Sequence, residues 1–342
     1  MRKKISILVL CMLLVTPLCL AQTTAPLHHQ TTDADVPVWS VGDYWTYRID
    51  NLTVNVNQSD FLLHVYISVA DFKMTVTEVT NDSYQLTVPS TSINAHFALY
   101  INNGDGPINI TGELKRTTIQ GTIFVAKADI GIKEMNLVLK GKLNTHINQQ
   151  PYIQNYSGTI PFTVRLNGNI AFDTPYTLLA FPLNESSVWG LPASKVTLTG
   201  TIKSPWFNVI NFLNHFARRW GLIPVIANAL GIPVDQAQSL SDMANDILPI
   251  VDIAHVMNTY LGGNSINITE IPDLFYVVDT ENVTVPAGTF MAYNISLFGG
   301  LGYMYYAPDA GHIIKSMGQF GDISSNMISN LDMELKATNF QP

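Results

Sequence analysis

Cysteine is almost missing from this 342-residue chain: the only two, Cys11 and Cys19, both sit in its opening segment. Beyond that segment there is accordingly no disulfide, no thiolate metal site and no cysteine nucleophile. Charge is scarce as well, at 13% of residues, and the formal balance is −8. A net-acidic chain lacks the basic footprint of a nucleic-acid binder. Catalytic signatures are missing too: there is no G-x-S-x-G, no H-E-x-x-H, no P-loop and no G-x-G-x-x-G. The chain is read as non-enzymatic, with no cofactor and no metal.

Long apolar runs are missing everywhere except at the start. Arg2, Lys3 and Lys4 precede an apolar run over 5–15, and Cys19-Leu20-Ala21 suits a small-residue cleavage rule. Residues 1–21 are read as a signal peptide, 22–37 as a flexible stalk, and 38–342 as a single β-rich domain. The run is shorter than a membrane-spanning helix needs and Pro17 interrupts its end, so no transmembrane helix is expected in the mature chain. The address is secreted or cell surface. Acceptor triplets for N-glycans begin at Asn51, Asn57, Asn81, Asn109, Asn155, Asn184, Asn267, Asn282 and Asn294. That exceeds what the composition alone generates, and it agrees with an exterior glycoprotein.

What is present is 47% hydrophobic residues, enough to build a core. Lys195 to Lys203 alternates, with Val196, Leu198 and Ile202 on one side and Lys195, Thr197, Thr199, Thr201 and Lys203 on the other, the pattern of a strand with one wet face. Further strands are expected at 61–69, 73–79, 93–101, 117–125, 136–143, 159–170 and 176–181, then at 274–279, 282–285, 290–298, 303–307, 312–320 and 328–338. Turns rich in Asn, Asp and Gly join them.

Between 205 and 263 the rhythm changes to helical. Trp206, Val209, Ile210, Leu213, Phe216, Ala217 and Trp220 recur every three or four residues; a second run is Ala237, Leu240, Met243, Ala244 and Ile247; a third is Ile250, Ile253, Ala254, Met257 and Leu261. The expected class is therefore α+β, mainly β: a curved antiparallel sheet, a half-barrel, with an inserted bundle of three or four short helices over 205–263.

Two phrases carry a resemblance. Trp39-Ser40-Val41-Gly42-Asp43-Tyr44-Trp45-Thr46-Tyr47 resembles an opening common to secreted β-rich proteins of archaea and bacteria. Val285-Pro286-Ala287-Gly288-Thr289-Phe290 and Tyr305-Tyr306-Ala307-Pro308-Asp309-Ala310-Gly311-His312 resemble strand-ending turns of the same group, and Phe181-Pro182-Leu183 with Trp189 an intermediate element. The group has no known function, and its architecture is similar to the periplasmic lipoprotein-carrier (LolA/LppX-like) half-barrels. That resemblance implies a curved sheet around an apolar cavity. The motifs also make sense alone, because Gly288 and Gly311 stand where a tight turn needs positive φ.

Chemistry-bearing residues are scattered. His64, His96, His146, His215, His255 and His312 have no partner at metal-ligand spacing, and Asn103-Gly104-Asp105-Gly106 lacks the further acids of a calcium loop. Trp206, Phe207, Phe212, Phe216 and Trp220 put more aromatic area on one helix than a single face holds. Three readings follow: a plug in the concave side of the sheet, a lined cavity, or a membrane-surface contact through Arg218 and Arg219. The lining candidates are Trp206, Val209, Ile210, Leu213, Phe216, Trp220, Met243, Met257 and Tyr260. The expected function is non-enzymatic binding of a lipid or other apolar small molecule. The alternatives are a glycosylated cell-envelope structural protein with an envelope partner, and, third, a secreted hydrolase.

Overall fold

The computed structural model describes residues 33–58, 61–102, 107–149, 153–156, 162–203, 214–215, 217–230, 233–235, 238, 241, 250–252, 254, 264–268, 270–297, 299–320 and 327–342. In chain order the elements are β1 (Tyr44–Gln58), β2 (Phe61–Val79), β3 (Ser83–Asn102), β4 (Pro107–Ala126), β5 (Ile132–Gln149), β6 (Ile153–Tyr156), β7 (Phe162–Tyr176), β8 (Val188–Leu191), β9 (Ser194–Lys203), α1 (Ile223–Leu230), β10 (Ile250–Asp252), β11 (Ser265–Ile268), β12 (Ile271–Val285), β13 (Gly288–Leu297), β14 (Gly302–Ala307), β15 (His312–Phe320) and β16 (Met327–Thr338). All strands join one antiparallel sheet in the order β10-β9-β7-β5-β4-β3-β2-β1-β16-β15-β14-β13-β12-β8, with β11 on β9 and β6 on β5.

Two up-and-down meanders make up this sheet, and β1 pairs with β16 to join them. At the far side the ladder is interrupted, but its ends lie two residues apart. β8 pairs with β12 at one end of the order, β9 pairs with β7 at the other, and only Pro192 and Ala193 separate β8 from β9. The register is the same on both sides of the gap: Leu191 faces Ile271, and three residues on Ser194 faces Ile268. The sheet must therefore curl until its two ends stand side by side, although its hydrogen-bonded order stays open.

Alternation explains which face turns inward. Val76, Leu86, Ile123, Met135, Ile170 and Leu198 are successive cross-strand partners from β2 to β9, and all are buried. One residue away the row reads Thr75, Thr87, Thr122, Asn136, Asn169 and Thr199, the opposite face. A register slip of one residue would exchange these two rows, so burial of the first, at about 1.5–3 kcal/mol per large side chain, pins the pairing.

The sheet is longer-stranded than the sequence pattern indicated. The runs expected at 61–69 and 73–79 are one 19-residue strand, β2, while β3 and β4 reach 20 residues each. Bulges hide this continuity by flipping the alternation. Val88 faces Gly121 and Thr91 faces Ile119, leaving Pro89 and Ser90 in a bulge; Arg116 takes a φ of 50° at another. The run expected over 176–181 is not a strand, since β7 ends at Tyr176.

The inserted bundle of three or four helices is corrected. Among the described residues of 205–263, helix comprises α1 and short pieces at 214–215, 217–219, 234–235, 238, 241 and 254, and the third expected run opens instead as strand β10. Ile250, Val251 and Asp252 pair with Lys203, Ile202 and Thr201 on the open edge of β9. A short apolar run reads equally as helix or strand, and here an unfilled ladder together with β-branched Ile250 and Val251 decides for strand.

The core collects around β1 and the turn between β14 and β15. That turn is a single 3-10 turn, Pro308–Ala310, stopped by Gly311 at φ 61°. A Cβ on Gly311 would lie 2.6 Å from the Phe340 ring. Gly311→Ala is expected to lower stability by about 1–3 kcal/mol in urea unfolding, because it combines left-handed backbone with that overlap. Gly168→Ala, where nothing lies within 4 Å of the added carbon, should leave the midpoint nearly unchanged; equal losses would show the turn is not strained.

Candidate functional site

The two phrases singled out in the sequence meet in space. The Trp45 indole N–H donates to the Ala310 carbonyl at 2.6 Å and the Trp39 indole N–H to the Gly311 carbonyl at 3.1 Å. The Tyr47 hydroxyl lies 2.9 Å from the Ile313 carbonyl and 2.7 Å from His312 Nδ1. Trp39, Trp45 and Tyr47 pack around the His312 ring at centroid separations of 5.7, 5.3 and 5.8 Å. The residue as a whole is only partly buried, but desolvation of its imidazole among these rings holds the pKa down to about 4. The Ile313 amide also donates to Nδ1 at 2.9 Å, so the neutral ring carries its proton on Nε2. This cluster holds the fold together rather than offering a cleft.

A groove does open on the outward face of the long strands. Thr53, Tyr66, His96, Glu113 and Asn144 are successive cross-strand partners from β1 to β5. Around them lies a space of about 320 Å³ lined by His96, Phe97, Thr111, Gly112, Glu113, Lys115 and Asn144. Behind it, on the inner face, a Cβ on Gly112 would overlap the Phe97 ring, which fills the glycine's empty place. The Lys115 ammonium is 3.1 Å from the Glu113 carboxylate, and the Tyr66 and His96 rings stand 6.2 Å apart. The groove offers donors, acceptors and an aromatic edge to a polar ligand. Sequence reading passed over it because His96, Glu113 and Asn144 are distant in the chain, and only the register of three long strands makes them neighbours.

No family model, no curated protein and no solved structure matches the chain.

Of the expected lining residues, Trp220 is described and stands 64% exposed. Trp206, Val209, Ile210, Leu213, Phe216, Met243, Met257 and Tyr260 lie outside the described residues, as do the leader, most of the stalk and the loop at 103–106. The end of the stalk is docked: Ala34 exchanges two 2.9 Å backbone hydrogen bonds with Leu183. Arg218, one of the two expected headgroup contacts, donates to Ser241 Oγ at 2.8 Å, and Asn214 donates to the Ser241 carbonyl at 2.8 Å. Among the described residues no three His, Cys, Asp or Glu side chains converge to hold a metal ion, and no helix is long and apolar enough to cross a membrane.

The glycan acceptors divide by exposure. Asn51, Asn81, Asn109, Asn267 and Asn282 are exposed and Asn184 is partly buried, whereas Asn294 is 5% exposed. Asn184 Oδ1 accepts from the Ser186 amide and hydroxyl, a local turn bond. The side chains of Asn57 and Asn155 lie outside the described set.

His312 makes stability depend on pH. A buried imidazole whose folded pKa lies below its ordinary 6.5 keeps full stability above that value and loses it as pH falls toward 4. Asp279, Glu281 and Asp332 are raised by burial and work the opposite way, so the informative quantity is the difference between variants. Thermal midpoints of His312→Gln are expected to be lower than wild type at pH 8 and to converge on it by pH 4. A constant gap across that range would remove the histidine from the acid response.

Proposed function

We propose that the protein is an extracytoplasmic, non-enzymatic binding protein for an apolar, lipid-like ligand. The observation that carries this reading is an inner face longer, among the described residues, than the core that fills it. Leu52, Ile67, Ala95 and Leu114 form one rung across β1 to β4, and Val65, Phe97 and Gly112 the next. Val65 and Ala95 are buried but stand outside the continuous core that ends near Leu52, Leu331 and Ile93. The following register positions, Val56, Leu63, Leu99 and Ile110, continue the apolar sequence toward the strand ends. Strands of 19 and 20 residues, against a usual 3–10, extend that face well beyond what β13 and β14 can reach with 10 and 6.

A cell-envelope contact role is the second reading, favoured by Trp220 at 64% exposure just before α1 and Val225 at 61% on α1 itself. Organic extraction of the purified protein followed by lipid mass spectrometry separates the two. Co-purifying acyl lipid, or saturable uptake of a fluorescent fatty acyl probe, is the expected result; an empty extract together with no uptake would leave the contact role standing.

An exported address predicts sugar on the exposed acceptors. In peptide mapping of protein from its native source, Asn81, Asn109, Asn267 and Asn282 should be occupied and Asn294 bare. Bare asparagine at all of them would withdraw support for the glycosylated exterior.

A further inference from the structure

The outward face of β12, β13 and β14 carries a cluster that neither the fold nor the proposed ligand uses. Asp279 and Glu281 stand two residues apart on β12; Asn294 on β13 faces Asp279, and Tyr305 on β14 faces Asn294. The Asn294 amide N–H donates to Glu281 Oε1 at 3.3 Å, with Asp279 and Tyr305 as its cross-strand neighbours. Both carboxylates keep partial access to solvent, but their neutral neighbours are deep: Asn294 is 5% exposed, Tyr305 8% and Ser296, next along the same face of β13, 0%.

Three buried oxygens here have no hydrogen-bond partner: Asp279 Oδ1, Asn294 Oδ1 and Ser296 Oγ. Leaving a buried acceptor unmade is costly, the more so for a carboxylate. The Asn294 amide donates to Glu281, and its carbonyl oxygen is left bare. The protein's own nearest cation on this row, Lys315 opposite Tyr305, is 2.9 Å from Glu334, which also takes Arg48 at 3.2 Å. Two acids, an amide oxygen and hydroxyl oxygens are thus gathered with their negative charge unanswered.

We propose that Asp279, Glu281 and Asn294, with the Tyr305 hydroxyl beside them, form a binding site for a hard divalent cation, calcium in particular. An all-oxygen set with only two carboxylates suits calcium, which accepts neutral oxygens in irregular geometry, better than magnesium, which demands a tight octahedron, or zinc, which favours nitrogen and sulfur. Two carboxylates on a sheet face place the affinity near that of extracellular calcium modules, a Kd of about 10⁻⁴–10⁻³ M. Within this cluster Asn294 is 5% exposed, closed to any sugar.

Terbium luminescence sensitised by the tyrosines, competed by calcium, tests this on the purified protein after chelator treatment. The expected result is one saturable site, displaced by calcium in the submillimolar to millimolar range, with a calcium-dependent rise in thermal midpoint. Asp279→Asn and Glu281→Gln should each weaken calcium at least about tenfold, a loss of roughly 1.4 kcal/mol, while Glu78→Gln on exposed β2 titrates as wild type. Absence of a saturable, calcium-competed signal in the wild type would overturn the proposal without reference to any variant. So would Asp279→Asn and Glu281→Gln variants that fold and bind calcium within twofold of the wild type.

Discussion

Two indole N–H groups and one phenol hold the first strand of this protein to a turn more than two hundred residues away. Trp39, Trp45 and Tyr47 direct their polar atoms at the backbone of residues 310–313, and their rings enclose His312. Backbone carbonyls that end a strand and enter a turn would otherwise need water, and water is what the surrounding Phe340, Tyr84 and Leu335 exclude. The aromatic side chains satisfy the turn and bury it at once. Because β1 is also the strand that pairs with β16, this contact joins the two meanders through side chains where the ladder joins them through backbone.

The second constraint is the seam at Pro192–Ala193. A sheet of this many strands twists as it grows and must curl, split or flatten. Here the chain itself settles the matter, since two residues cannot span a flat sheet's width. β8 and β9 therefore bring opposite ends of the order together, and β11 and β12 pass the same gap in matching register. Curling buries one face continuously, from Trp45 to Leu198, and it leaves the other face polar along β2 to β9, whereas on β13 and β14 that face is buried as well.

That polar face is where unspent chemistry collects. The groove around His96 and the oxygen cluster around Asn294 both arise where long strands carry side chains of the outward set past one another. Neither has a local signature. Asp279-Thr280-Glu281 looks like any solvated strand, and its distinction comes from Asn294 and Tyr305, supplied by two further strands. The charge balance is also unequal: the groove's Glu113 meets the Lys115 ammonium, whereas Glu281 on β12 meets the neutral amide of Asn294.

Much of this protein was legible from residues alone, for reasons that are local. Period-two alternation in 195–203 and 312–320 reports strands because successive side chains alternate faces, and Gly311 and Gly288 report their turns because other residues resist positive φ. Strand length was not legible, since bulges at Pro89 and Arg116 shift the alternation that would have revealed it. The three-to-four periodicity after 205 suggested helix throughout, yet Ile250–Asp252 became strand, because a hydrogen-bonding edge on β9 is a tertiary fact. The sequence by itself determined the alternation, the turns and the aromatic phrases, all set by neighbours a few residues apart. Only the tertiary structure decided which faces meet, because cross-strand pairing depends on register between segments that the chain order does not place together.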